Sequence, residues 1–223
     1  MKILITAGPT WIKIDEVRIL TSIFTGATGL YLAEEFRKKG DLVTILLNQH
    51  CLNKNIKGMR IISFRYFEEF REKITTELKK NCYDAIIHSA AVSDYRLERV
   101  FPARGAALAN GQGSAFGGKG KIPSGKKELI LKLTPAEKII KLIRKLAKNT
   151  LLIQFKLEIK RKGLIEEAHA SLKENKSDFV VANALEDLKL GYRAFLIDRY
   201  KKVITLRSKR DLFSALWKTI IHS

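Results

Sequence analysis

Short, continuously apolar runs alternate along the chain with stretches whose apolar residues recur at helical spacing. The runs Ile3–Thr6, Leu42–Leu47, Arg60–Phe64, Asp84–Ser89, Thr150–Phe155 and Asp178–Ala182 predict strands. The helical patterns Leu30–Lys39, Phe67–Lys80, Pro135–Ala147 and Leu164–Glu174 lie between them. A strand buried on both faces reads as unbroken apolar sequence, because neither side of the pleat meets water. Such strands alternating with amphipathic helices predict a doubly wound α/β fold, Rossmann-like, with a mainly parallel sheet and helices on both faces. Thr134-Pro135 predicts a helix start, with Thr as the cap and Pro at the first helical position. Ser208 with Asp211 predicts a capping box opening the last helix, after a closing hairpin of Tyr192–Ile197 and Lys202–Leu206.

From Pro102 to Lys127 this rhythm stops. The segment is dominated by Gly, Ala, Ser and Lys, including Gly117-Gly118-Lys119-Gly120-Lys121, and has too little apolar bulk to bury. A long loop in a compact domain is either disordered or a functional lid. Lysines next to the expected strand Glu128–Leu133 fit a flap, about 102–127, that closes over an anion. Residues 1–223 otherwise read as one domain without internal repeats.

Composition narrows the classes. No apolar run approaches the roughly 20 residues that cross a bilayer, and Met1-Lys2-Ile3-Leu4-Ile5 is too short for a secretory signal. Cys51 and Cys82 stand outside any metal or redox spacing and read as reduced thiols, so the expected location is the cytoplasm. The histidines His50, His88, His169 and His222 match no zinc pattern, and no protein metal site is expected. The net charge of +19 attracts polyanions. Its lysines are spread over helices such as Lys138–Lys148, where a solvated face explains them as well as nucleic acid does.

The chemistry concentrates at two glycine turns and one strand end. Ile3–Thr6 runs into Ala7-Gly8-Pro9-Thr10, and Thr25-Gly26-Ala27-Thr28-Gly29 opens a helix. Free N–H groups at the positive end of a helix dipole bind phosphate, and glycine permits close approach. A plain capping loop is the alternative. A nicotinamide dinucleotide reading fits less well. Its fingerprint follows the first strand directly, with an acidic residue ending the second, whereas here that strand ends in Leu47-Asn48-Gln49. The third feature is His88-Ser89-Ala90-Ala91-Val92-Ser93-Asp94-Tyr95 at a strand's carboxyl end, where α/β sheets bind ligands. Small residues there admit a base or phosphate, and Asp94 can accept from a ribose hydroxyl, hold Mg²⁺ or simply cap a turn.

Taken together, these segments resemble phosphopantothenate–cysteine ligase, also called phosphopantothenoylcysteine synthetase. The resemblance is carried by Ile5-Thr6-Ala7-Gly8-Pro9-Thr10, Ile14-Asp15-Glu16-Val17-Arg18, Thr25-Gly26-x-x-Gly29 and Ser89–Tyr95. Lys121-Ile122, Thr134-Pro135, Phe155 and Asp178–Asn183 follow in register. It implies joining of 4′-phosphopantothenate to cysteine through an acyl-nucleotide made from CTP or ATP, with Mg²⁺, in a homodimer of the stand-alone bacterial type. It assigns Lys121 and Ser22 to catalysis, and Gly8, the strand end His88, Ser89 and Ala90, Asp94, Thr134, Pro135, Ala136 and Phe155 to the nucleotide. Lys173 and Lys176 join that set as neighbours of two expected lysines. Thr25, Gly26, Gly29 and Asn183 are assigned to phosphate or substrate. Four positions depart from the family pattern: Ser22 replaces Asn, Gln154 replaces Gly, and Ser171 and Asn175 stand where the lysines are expected. A catalytically impaired relative that binds nucleotide or nucleic acid is the remaining alternative.

Overall fold

The computed structural model describes residues 1–51, 58–102, 120–122, 128–188 and 191–223. Residues 103–119 and 123–127 of the expected flap lie outside the described residues. The chain begins with β1 (Lys2–Ala7), the two-residue strands β2 (Ile12–Lys13) and β3 (Ile19–Leu20), α1 (Ala27–Lys38) and β4 (Leu42–Asn48). Then come β5 (Arg60–Phe64), α2 (Phe67–Lys80), β6 (Ala85–His88), β7 (Tyr95–Pro102), β8 (Leu129–Pro135) and α3 (Ile139–Leu146). The remainder is β9 (Leu151–Glu158), α4 (Leu164–Asn175), β10 (Phe179–Ala184), α5 (Leu185–Leu188), β11 (Ala194–Asp198), β12 (Val203–Leu206) and α6 (Lys209–Ile221).

One eight-stranded sheet, ordered β12-β11-β10-β9-β6-β1-β4-β5, forms the centre. Its strands β5 through β10 in that order are parallel, and the β11–β12 hairpin closes one edge antiparallel. The continuous apolar runs become two-sided strands, as expected. Ile3, Ile5, Ile45, Leu47 and Ile87 face α1 and α6 on one side, where Phe36 meets Phe213 edge-on at 5.2 Å. Leu4, Leu46, Ile86 and Leu152 face α2 and α3 on the other, against Phe64, Phe70, Ile74 and Ile143. Leu164, Ala168 and Leu172 of α4 cover β10 on that same side. Two layers of helix enclosing a mainly parallel sheet are the doubly wound arrangement.

Two boundaries need comment. Ser208 caps α6 as predicted, accepting from the Asp211 amide at 3.0 Å. Thr134-Pro135 does not start a helix. The pair ends β8, where Pro135 lies opposite Tyr95 and Thr134 opposite Arg96, and α3 begins later with Lys138 as its cap. Proline at the last position of a two-stranded ribbon leaves no ladder bond unmade, so ladder pairing with β7, absent from the sequence expectation, overrode the helix-start signal.

Candidate functional site

The strand order reverses at β1, which leads to β4 and β5 on one side and to β6, β9 and β10 on the other. At such a switch point the connections leave the carboxyl ends in opposite directions and open a crevice. A cleft of about 960 Å³ lies there.

Its first wall joins the two glycine turns to the β6 end. The Ser89 hydroxyl donates to the Thr6 carbonyl at 2.7 Å, and the Ala91 amide donates to the Gly8 carbonyl at 3.0 Å. The Thr10 amide returns a bond to Ala91 at 3.1 Å, and the Thr10 hydroxyl accepts from Ser93 at 2.9 Å. Gly26 takes φ +70°, and a Cβ there would lie 2.8 Å from the Gly8 nitrogen. A Cβ on Gly29 would lie 2.5 Å from Ala7 Cβ and 2.6 Å from Ser89 Oγ. The glycines thus let three backbone segments touch. They also leave the start of α1, whose cap residue Gly26 supplies no side-chain bond, open to the cleft. Gly8, Ser22, Thr25, Gly26, Gly29, Ser89 and Ala90 all line this wall.

The second wall is the start of α3 with the loop after β6. Lys138 Nζ meets Asp94 Oδ1 at 2.6 Å, both side chains more than half exposed. Such an exposed pair is worth little and exchanges readily for a ligand. Thr134, Pro135 and Ala136 do not line the cleft; the Ala136 amide donates to the Asp94 carbonyl at 2.8 Å and fixes that loop.

The third wall, from β9 and α4, brings three of the departures into one network. Gln154 is buried. Its amide nitrogen donates to Ser171 Oγ at 3.1 Å, while its oxygen accepts from Asn175 at 3.0 Å and Ser177 at 2.9 Å. Ser171, Asn175, Phe155 and Asn183 line the cleft, whereas Lys173 and Lys176 are exposed outside it. Lys176 ends α4 in the left-handed region at φ 54°. The cations that do line the cleft are Lys138 and Lys156, missed in the sequence although Lys156 directly follows Phe155. They face Asp94, Glu137, Glu167 and Glu174, so among the described residues the wall is not basic despite the overall charge of +19.

Lys121 is exposed and does not line the cleft, but its neighbours are anchored. Asp15 is buried and accepts from the amides of Ile122 at 3.0 Å, Val17 at 2.9 Å and Arg18 at 2.7 Å. The Arg18 guanidinium reaches the same carboxylate at 2.5 Å and the Ile122 carbonyl at 3.3 Å. Burial alone would raise the Asp15 pKa. The three amides and Arg18 outweigh it and hold the carboxyl below its ordinary range. Nothing in the sequence pattern singled out this link between the Asp15–Arg18 turn and the end of the flap. Among the described residues no group of three or more His, Cys, Asp or Glu side chains is placed to hold a metal, and no helix is long and apolar enough to cross a membrane.

Comparison with known proteins extends the picture. Residues 1–222 match the family described as the DNA/pantothenate metabolism flavoprotein C-terminal domain. The coenzyme A biosynthesis bifunctional protein CoaBC of Thermococcus kodakarensis is 30% identical over 98% of this chain and 50% of its own length. The chain spans about half the length of the curated CoaBC relatives it matches over most of its own length. A crystal structure of the DNA/pantothenate metabolism flavoprotein from Streptococcus pneumoniae superposes with a TM-score of 0.87 at 26% identity, covering 100% of this chain and 99% of the other. A Cab2 mutant in complex with phosphopantothenate-cysteine shares the fold, with a TM-score of 0.75 at 17% identity over 99% of this chain and 85% of that one. The chain belongs to the DNA/pantothenate metabolism flavoprotein C-terminal domain family.

Proposed function

We propose that the chain is a phosphopantothenate–cysteine ligase. The observation that carries this reading is the convergence, in one cleft of a family member, of the α1 amides, the Ser89–Asp94 strand end and Phe155. The carboxylate of 4′-phosphopantothenate attacks the α-phosphorus of CTP or ATP, and pyrophosphate leaves. The amine of cysteine then attacks the acyl carbonyl, an amide bond forms, and the nucleoside monophosphate departs while the amine loses its proton.

The walls divide this work. The α1 amides at Gly26–Gly29 hold a phosphate at the positive end of the helix dipole. Ser89, Ala90 and Phe155 frame a planar base, since small residues and a ring leave a flat slot. Ala136, which follows Thr134 and Pro135, holds Asp94 at the slot through its bond to the Asp94 carbonyl. Ser22 sits on the loop before the glycine turn, where it can orient the acyl group by one hydroxyl bond. The carboxylates on the wall oppose a bare triphosphate, so the nucleotide is accepted with Mg²⁺, whose preference for oxygen fits the exposed Asp94. Lys121, next to the Ile122 held at the Asp15–Arg18 turn, supplies charge to the phosphates.

Among the described residues the wall carries two lysines against four carboxylates, which does not suit a nucleic-acid groove. The test is pyrophosphate release with each nucleotide. Release with CTP or ATP only when phosphopantothenate is present supports the reading; release that ignores phosphopantothenate, or none, contradicts it.

A further inference from the structure

Among the described residues four carboxylates line the cleft, and three of them already have a cation. Asp94 is met by Lys138 at 2.6 Å, Glu137 by Arg71 at 2.5 Å and Glu174 by Lys141 at 2.7 Å. Glu167, exposed in the first turn of α4, has no cation partner among the described residues.

The side of β9 that carries Gln154 faces α4, because Gln154 bonds to Ser171. Lys156 and Glu158 share that side through the two-residue period of a strand, and Glu167 stands one turn before Ser171. Lys156 Nζ meets Glu158 Oε1 at 2.7 Å. A protonated Glu167 carboxyl donates to the same Glu158 carboxylate. The Lys156 bond above all, with this second bond behind it, holds Glu158 below its ordinary range. Two carboxylates thus share one ammonium, and one negative charge is left over at the wall of the cleft. Nucleotide and phosphopantothenate are anions and do not cancel it. Of the three substrates in the ligase reading, only cysteine brings an ammonium group, and its amine must shed a proton before it attacks.

We infer that Glu167 receives the ammonium of cysteine and takes its proton, while Lys156, which lines the cleft beside it, meets the carboxylate of the same zwitterion. The assignment rests on the ligase reading for the reaction it serves. Glu167 removes one proton from the nitrogen and, now a carboxylic acid, donates it into a hydrogen bond with Glu158. The freed lone pair forms the C–N bond to the acyl carbon. The C–O bond to the nucleotide breaks, and its electron pair leaves on the phosphate, which takes the surplus proton of the nitrogen. Glu158 is a positioning residue, kept charged as an acceptor by Lys156.

The experiment loads the whole protein with acyl-nucleotide, using phosphopantothenate, Mg²⁺ and CTP or ATP, and then mixes it rapidly with cysteine, cysteamine or hydroxylamine. Cysteamine has the ammonium without the carboxylate, and hydroxylamine is uncharged at neutral pH. Glu167→Gln should lower kcat/KM for cysteine and for cysteamine at least about tenfold, as expected for a lost ion pair and a lost proton acceptor, with partial recovery in Glu167→Asp. Hydroxamate formation from hydroxylamine should stay within about twofold. Lys156→Ala should raise KM for cysteine and not for cysteamine. A loss below tenfold with cysteine, or an equal loss with hydroxylamine, overturns the inference. A raised Mg²⁺ requirement for the pyrophosphate burst in Glu167→Gln gives this carboxylate to the metal and overturns it as well. Cysteine binding is followed in parallel by saturation-transfer NMR. If the wild type forms no acyl-nucleotide yet binds cysteine more tightly than Glu167→Gln does, the ligase reading falls and the ammonium site stands. Binding that is absent, or equal in the two proteins, overturns the site.

Discussion

Asn175 donates its side-chain amide to Gln154 Oε1 at 3.0 Å, which places two departures from the family pattern in direct contact. Ser171, the third, accepts from the other end of the same glutamine. A glycine at 154 could not support this network, and a lysine at 171 or 175 would put an ammonium against a buried amide. The three replacements therefore act as one unit, which exchanges two charges for a neutral hydrogen-bonded wall. Gln154→Ala leaves the buried Ser177 without its acceptor and Asn175 with only its 3.2 Å bond to Ser171 Oγ, and should cost about 1–3 kcal/mol of stability. A double-mutant cycle with Asn175→Ala, read by denaturant unfolding, should give a coupling of at least about 0.5 kcal/mol. Additive losses would mean that the two side chains do not share a network.

Gly29→Ala sets helix propensity against packing. Alanine gains about 1 kcal/mol in a helix interior, but the new methyl would stand 2.5 Å from Ala7 Cβ and 2.6 Å from Ser89 Oγ. Overpacking of this kind costs about 1–3 kcal/mol, so the net change should be destabilising. Adding Ala7→Gly removes one of the two clashes and should recover part of the loss. A melting temperature unchanged by Gly29→Ala would show that the three backbone segments can separate at little cost.

Acid should destabilise the protein in two separate windows. His88 has an ordinary pKa of 6.5 and a folded value pushed down to about 4 by burial. Below 6.5 the unfolded chain binds the proton and the folded one does not. Stability therefore falls as pH drops from about 6.5 to 4, by about 3 kcal/mol, and then levels for this group. Asp15 contributes stability above its ordinary value of 3.8 and loses it as pH falls through its lower folded value. His88→Phe should flatten the upper window and leave the lower one, as read by unfolding at each pH.

Lys121 and Asp15 should separate chemistry from anchoring. Lys121→Ala removes an exposed side chain, so turnover should fall at least tenfold while the melting temperature stays within about 2 °C, the shift expected for well under 1 kcal/mol in a domain of this size. Asp15→Ala removes the acceptor of three amides and the Arg18 partner, and should lower both. Intact turnover in Lys121→Ala would take that lysine out of the reaction.

The legibility of the chain followed the physical signal in each segment. Runs such as Ile3–Thr6 and Leu42–Leu47 announced a two-sided sheet because both faces are buried, and the Ser89–Asp94 strand end followed from the sheet's polarity. Of the β7–β8 ribbon only β8 was expected, as Glu128–Leu133; β7 and its pairing were not, since Tyr95, Leu129, Ile130 and Leu133 are exposed and no burial pattern marks the ribbon. Lys173 and Lys176 were assigned by nearness in sequence. A helix turns about 100° per residue, which sends Lys173 away from the cleft that Ser171 and Asn175 line, and Lys176 leaves the helix in the left-handed region. The Asp15–Ile122 bond spans a sequence separation of 107 residues and depends on loop geometry that no local period encodes.

The central claim is that this cleft joins a carboxylate to the amine of cysteine at the expense of a nucleotide. It is tested most directly by incubating the protein with phosphopantothenate, Mg²⁺ and CTP or ATP, with and without cysteine, and following pyrophosphate and products by mass spectrometry. The predicted result is one equivalent of pyrophosphate per active site without cysteine, retained as acyl-nucleotide, and continuous turnover to phosphopantothenoylcysteine and nucleoside monophosphate once cysteine is added. Pyrophosphate release independent of phosphopantothenate, or no amide product with cysteine present, would contradict it.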